Sequence, residues 1–192
     1  RAHFLSPFAP DPVESERALF ARLRRLLREP GRSYIYAYWP EPDHTIHELG
    51  TSAVPVRRII RRLDRRVRRL CRGLKNSLVA IVADHSLIDT EYLCLQDYPE
   101  LLELLARRPS IEGRALSLFV RPGQQALFRE RFEKAFGASF RLFTHEEVLS
   151  LGLFGPGEAH PRAEGFIGDF LAVATDRFYL GYPRDEHPLI GH

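Results

Sequence analysis

Two short patterns hold the side chains best suited to chemistry. Asp43-x-x-x-His47 follows the aromatic stretch Ser33 to Trp39, and Asp84-His85 follows the apolar run Leu78 to Ala83. A carboxylate oxygen with an imidazole nitrogen is the ligand set of a hydrolytic divalent metal, zinc or manganese. Two such pairs at one edge of a sheet predict two neighbouring metals, which at a separation of about 4 Å clamp the attacking and leaving oxygens of a phosphoryl transfer. Taken singly, each pattern has an ordinary reading. Asp-x-x-x-His is a common surface spacing, and Asp-His after an apolar run is often a helix cap beside a surface residue. Their joint occurrence in one strand-helix-strand frame is what points to metal.

That frame follows from the pattern on either side. Arg1 to Pro12 reads as Pro-rich and irregular. Val13 to Glu29 has helical apolar spacing and ends at Pro30-Gly31. Ser33 to Trp39 has strand composition, Pro40-Glu41-Pro42 stops it, and Asp43 to Gly50 reads as a polar loop. Val54 to Lys75 is a long amphipathic helix with the stripe Val56, Ile59, Ile60, Leu63, Val67, Leu70, Cys71 and Leu74. Leu78 to Ala83 lacks alternation, as expected of a strand buried on both faces of a parallel sheet. Asp43 and Asp84 then fall at the C-terminal ends of successive parallel strands, the edge where open α/β sheets bind ligands.

The predicted architecture is α/β, a mainly parallel sheet flanked by helices with a small α+β insert. Leu101 to Arg108 reads as a short helix. Within residues 113–155 the spacing predicts a strand over Arg114 to Val120, a helix over Pro122 to Phe136, a strand over Phe140 to Phe143, and a helix capped by the Thr144/Glu147 box. Gly155-Pro156-Gly157 closes this insert. Residues 1–112 are expected to form the core, and 156–192 to return to it through two strands, Phe166 to Ala174 and Phe178 to Tyr182, as a hairpin around Asp176-Arg177.

Composition narrows the class. The 192 residues are 44% hydrophobic, too many for a disordered chain, and no apolar run approaches a membrane span. Two cysteines, Cys71 and Cys94, fit a reducing compartment rather than a disulfide scaffold, and no signal peptide is seen, so a cytoplasmic location is expected. There is no Met, and the chain reads as a piece of a longer protein. The net charge of +3 conceals an uneven distribution. Arg57, Arg58, Arg61, Arg62, Arg65, Arg66, Arg68, Arg69, Arg72 and Lys75 against Asp64 alone give 10 − 1 = +9 on the long helix, which leaves 3 − 9 = −6 elsewhere.

The run Tyr34 to Gly50 (YIYAYWPEPDHTIHELG), a helix, and then Val79 to His85 (VAIVADH) resembles the alkaline-phosphatase superfamily, in particular its type I phosphodiesterase and nucleotide pyrophosphatase branch. Asp97-Tyr98-Pro99-Glu100-Leu101, Leu153-Phe154-Gly155-Pro156-Gly157-Glu158 and Ile167-Gly168-Asp169 are similar to stretches of its bacterial members. The resemblance covers most of the chain, as the C-terminal part of a catalytic domain. It implies that Asp43 and His47 hold one metal together with a late His from a Gly-x-His-Gly context. His192, in Gly191-His192, is the candidate, and a following residue is the alternative. It also implies that Asp84 and His85 hold a second metal, both metals being zinc or manganese. Ser86 stands where the family usually has Gly, a departure that blurs the branch. By the same resemblance the second site needs a further Asp and a nucleophilic Thr or Ser from an N-terminal segment. Ser6 and Ser15 lie in the wrong surroundings, so the nucleophile is not in this chain and the fragment alone is expected to be inactive. The implied activity is phosphodiester, pyrophosphate or nucleotide hydrolysis through a phospho-Thr or phospho-Ser intermediate.

Of the remaining histidines, His44 lies between proposed ligands and could touch substrate, His145 sits at a helix cap, and His160 and His187 lie in Pro-rich loops. Two rival readings stand beside the hydrolase. One is a module that binds nucleic acid or an anionic surface through residues 57–75; its bland counterpart is a solvated face neutralised within the fold. No aromatic interrupts those arginines, so they form no stacking platform for single strands. The other is a pseudo-enzyme that keeps the fold without the chemistry.

Overall fold

The computed structural model describes residues 1–158, 160–182 and 190–191. The chain divides into two units, Arg1–Asp84 and His85–His192.

In the first unit, β1 (Ala2–Leu5), α1 (Glu16–Leu26) and β2 (Tyr34–Ala37) form a βαβ element, and α2 (Asp43–Leu49) and α3 (Val54–Cys71) follow. β1 and β2 pair in parallel from Ala2↔Tyr34 to Leu5↔Ala37, an arrangement that requires the crossover α1 supplies. Ser15 caps α1 by accepting from the Ala18 amide at 3.1 Å. Leu19, Leu23 and Leu26 share a face that packs on Leu5, Val13, Ile35 and Trp39. The strand at residues 2–5 corrects the expectation of an irregular start. Its four residues precede a Pro-rich stretch, and their pairing with β2, not their composition, makes them a strand.

α3 is the expected long helix but a shallowly packed one. Val56 is buried, whereas Ile59, Leu63, Val67 and Leu70 are half-buried and Ile60 is 48% exposed. Its firm attachment to α1 is ionic. The Glu16 side chain, 7% exposed, accepts from Arg62 Nε at 2.7 Å and pairs with Arg66, whose guanidinium also lies 5.9 Å from the Phe20 ring.

Two further expectations fail in this unit. Asp43–Leu49, within the expected loop 43–50, is a helix. Pro42 precedes it, the buried Ile46 anchors it, Glu41 accepts from the Thr45 amide at 3.2 Å, and Gly50 at φ 81° ends it. Leu78 to Ala83 is not a strand. Among the described residues it pairs with no strand, and Leu78, Ile81 and Val82 are 96%, 74% and 84% exposed. Apolar composition favours a strand only where a partner supplies the hydrogen bonds. The βαβ frame is therefore β1-α1-β2, and Asp84 does not follow a strand.

The second unit runs β3 (Ile88–Asp89), β4 (Glu91–Cys94), α4 (Pro99–Leu102), β5 (Ser110–Glu112), β6 (Ala115–Leu118), α5 (Gln125–Phe136), β7 (Phe140–Thr144), α6 (His145–Ser150), α7 (Ala163–Ile167), β8 (Phe170–Ala174), β9 (Phe178–Gly181) and β10 (Ile190–Gly191). The sheet β5-β6-β8-β7 is antiparallel, β4 pairs in parallel with β9, and β3 pairs antiparallel with β10. β8, with Phe170, Leu171 and Ala172 buried, has the composition of a central strand and occupies that place. The expected β8–β9 hairpin does not form. β8 pairs with β6 and β7, and β9 leaves the sheet for β4.

The core of this unit is a run of phenylalanines. Phe128, Phe132 and Phe136 recur at helical spacing on α5 and pack on Phe140 and Phe170, with Phe128 and Phe170 stacked 5.8 Å apart. The capping box on α6 is complete. Thr144 Oγ1 accepts from the Glu147 amide, and Glu147 accepts from the Thr144 amide at 2.7 Å. Gly168, at φ 76°, must be glycine, because a Cβ there would lie 2.6 Å from the Leu118 carbonyl oxygen. The turn it makes lets Asp169 accept from the Val120 amide at 2.7 Å and from Gln125 at 3.2 Å. Among the described residues no helix is long and apolar enough to cross a membrane.

Candidate metal centre

Because α2 is helical, Asp43 and His47 stand four residues apart on one face, with Oδ1 and Nε2 3.5 Å apart. The side chains are 43% and 36% exposed. Asp43 Oδ1 itself is shielded from solvent and receives no hydrogen bond among the described residues. A shielded carboxylate oxygen left without a donor is costly unless something positive meets it. Two ligands held about 2.0–2.2 Å from a tetrahedral metal lie roughly 3.4 Å apart, so the observed separation fits a shared cation. His44 and Glu48 repeat the spacing beside them at 3.6 Å, but in a more exposed position. Asp43 begins six residues beyond the C-terminal end of β2, the side of a parallel pair at which α/β folds bind ligands.

Asp84 and His85 are both exposed, in an irregular stretch, with His85 Nδ1 3.2 Å from the Ser86 carbonyl oxygen. The division between the two units falls between these two residues. His187 and His192 lie outside the described residues. Among the described residues no group of three or more His, Cys, Asp or Glu side chains gathers. The structure thus places the first pair together with a donor-starved oxygen, and the second in an exposed segment.

Sequence reasoning missed one concavity. In the second unit a half-open hollow of about 660 Å³ is floored by Val148 and Ile167, walled by the edge-to-face rings of Phe154 and Phe166, and rimmed by His160 and Arg162. The two phenylalanines are 58% and 52% exposed, an exposure of large rings that only the packed fold reveals.

Residues 9–188 match the type I phosphodiesterase / nucleotide pyrophosphatase family. Among curated proteins there is no match. Solved structures of similar fold include murine ectonucleotide pyrophosphatase / phosphodiesterase 5 (16% identity, TM-score 0.62) and its human counterpart (15%, 0.65). They also include an inactive variant of the murine protein in complex with AMP (16%, 0.61). Each likeness covers 100% of this chain and 55–56% of the other, so the chain spans about 56% of the length of the structures it matches. The fold is the alkaline-phosphatase-like α/β fold that the motifs led us to expect.

Proposed function

The chain belongs to the type I phosphodiesterase / nucleotide pyrophosphatase family, and on that footing we propose that the full-length protein is a metal-dependent phosphoester hydrolase acting on a small phosphodiester, pyrophosphate or nucleotide. The observation that carries the reading is the shielded Asp43 Oδ1, without a hydrogen-bond donor among the described residues and 3.5 Å from His47 Nε2. The AMP complex of the murine relative supports a nucleotide-like substrate.

Asp43 and His47 would hold one divalent ion, zinc or manganese, with a late histidine, His192 or a residue after it. Asp84 and His85 would contribute to a second. When bound, such ions lower the pKa of a hydroxyl nucleophile and neutralise charge on the phosphoryl oxygens. The chain's own residues orient and confine. The α2 helix holds Asp43 and His47 on one face, and His44 would be the candidate substrate contact. On this reading a Thr or Ser outside these 192 residues attacks phosphorus, its ester to the phosphoryl group forms as the alcohol departs, and water then cleaves that ester. We assign substrate selectivity to the stretch 113–155.

The test is hydrolysis of a p-nitrophenyl phosphodiester by the full-length protein with zinc or manganese. Asp43→Ala and His47→Ala should each lower kcat/KM by about a hundredfold or more, as loss of an inner ligand or its support does. The 192-residue chain alone should show no turnover. Full activity in either variant, or turnover by the isolated chain, would overturn the assignment. Activity unaffected by chelation would overturn the metal assignment, and absence of hydrolysis by the full-length protein would favour the pseudo-enzyme reading.

A further inference from the structure

The cationic helix remains unexplained by hydrolysis. Its structure now separates the charges that the fold uses from those it does not. Arg62 and Arg66 are committed to the buried Glu16, and Arg68 to Asp64 at 3.0 Å. Arg57, Arg58, Arg61, Arg65, Arg69 and Arg72 are exposed, and none has an acidic partner among the described residues. At 3.6 residues per turn these six fall within an arc of about 120°, on the side of the helix away from its half-buried apolar stripe.

The arc is crowded with like charge. Arg57, Arg61, Arg65 and Arg69 succeed one another at i, i+4, and Arg58–Arg61 and Arg69–Arg72 stand at i, i+3. Each such pair opposes the helix. Among the described residues the acids paired with α3 arginines are Glu16 and Asp64, which are already engaged. The face therefore carries unrelieved repulsion that an external polyanion would remove.

The spacing identifies the polyanion. Arg57 to Arg72 covers about 22 Å at 1.5 Å per residue. The six exposed cations occur on average about every 4.5 Å along it, a linear charge density comparable to the one phosphate per 3.4 Å of one strand of a duplex. Guanidinium forks match phosphate oxygens. Between Arg57 and Arg72 the arc contains no aliphatic or aromatic side chain, so it offers nothing to insert among lipid chains, to bury in an apolar protein interface or to stack on unpaired bases. We infer that the exposed arginine face of α3 binds the phosphate backbone of duplex nucleic acid, without base specificity and independently of the metal pair.

The experiment is fluorescence anisotropy of a labelled random-sequence DNA duplex with the full 192-residue chain in EDTA, over a salt series. Wild-type protein should bind with a slope of log K against log salt of about −4, and so lose about 250-fold in affinity between about 50 and 200 mM salt. The variant Arg58→Gln/Arg61→Gln/Arg65→Gln/Arg69→Gln should flatten the slope to about −1 and weaken binding at least about tenfold. A control with Arg17, Arg25, Arg28 and Arg32 replaced by Gln should keep the wild-type slope. The helix variant should also melt at a higher temperature than wild type in low salt, since it removes repulsion from exposed sites without touching the Glu16 clamp. Absence of duplex binding would overturn the inference. So would equal loss in the control, a lower melting temperature in the helix variant, or binding to phosphatidylserine vesicles in place of the duplex.

Discussion

The two units bury their interiors by different means. The second stacks phenylalanines: Phe132, fully buried, lies 5.8, 5.1 and 6.4 Å from Phe128, Phe136 and Phe140. The first closes a smaller aliphatic cluster, Leu5, Val13, Leu19 and Leu26, and fastens its long helix through a carboxylate clamped by two arginines. Aromatic packing is close to insensitive to pH and salt, whereas a clamp depends on charge and geometry. The proposed Asp43–His47 pair sits in the unit with the smaller aliphatic cluster, and a bound ion would stabilise that unit by mass action.

The largest effect expected from this contrast is in the aromatic core. Phe132→Ala should cost about 3–5 kcal/mol, because the three neighbouring rings, one stacked, one tilted and one edge-on, cannot all move into the space. Leu19→Ala in the first unit should cost about 2–3 kcal/mol, since four residues on a two-stranded sheet can relax around the gap. Urea denaturation, with hydrogen exchange to locate the loss in each unit, measures both. Equal costs would mean that the smaller cluster is as rigid as the larger and would remove the contrast.

The clamp should give the next effect. Glu16→Gln keeps the shape of the side chain but leaves Arg62 and Arg66 without their counter-charge. It should cost about 1–3 kcal/mol, the range for a hydrogen-bonded charge at a mostly buried site. Protection of the α3 amides should fall first. A neutral result would show that α3 is held by its apolar stripe alone.

What could be read in advance depended on how far each signal reaches along the chain. The Thr144/Glu147 box needs only three neighbouring residues, and it is present as expected. The phenylalanine spacing on α5 likewise declares a buried face. The run Leu78 to Ala83 has strand composition, but a strand is a relation between two segments, and this run has no partner strand among the described residues. β9 joins β4 rather than β8 for the same reason. That choice is made by contacts across the unit, among them Tyr179 packed over Gly113, where a Cβ would lie 2.3 Å from the ring. Asp43 and His47 were legible as a pair by type and spacing. That the stretch between them is helical was also available, in Pro42 before it and Gly50 after it. The shielded, donor-starved Asp43 oxygen was not, because solvent access at one atom is a property of the packed fold.

The smallest effect concerns a charge pair that lacks the burial of the Glu16 clamp. Asp11 pairs with Arg22, whose guanidinium also donates to the Asp11 carbonyl at 3.4 Å, and the Asp11 side chain is 76% exposed. The Arg22 hydrogen bond, followed by the charges of Arg22 and Arg25, holds the Asp11 carboxyl below its ordinary value. A carboxyl whose folded pKa lies below its unfolded one stabilises the fold above the unfolded value, and loses that contribution as pH falls through the folded one. Arg22→Gln should return the Asp11 midpoint, followed by its side-chain NMR signal, to the ordinary carboxylate range. Any stability difference between the two proteins should be present at neutral pH, vanish in acid, and shrink in high salt, as screening of an exposed pair requires. An Asp11 midpoint unmoved by the substitution would show that solvent already screens the pair. Burial of the carboxylate would then be what separates Glu16, which fastens a helix, from Asp11, which decorates one.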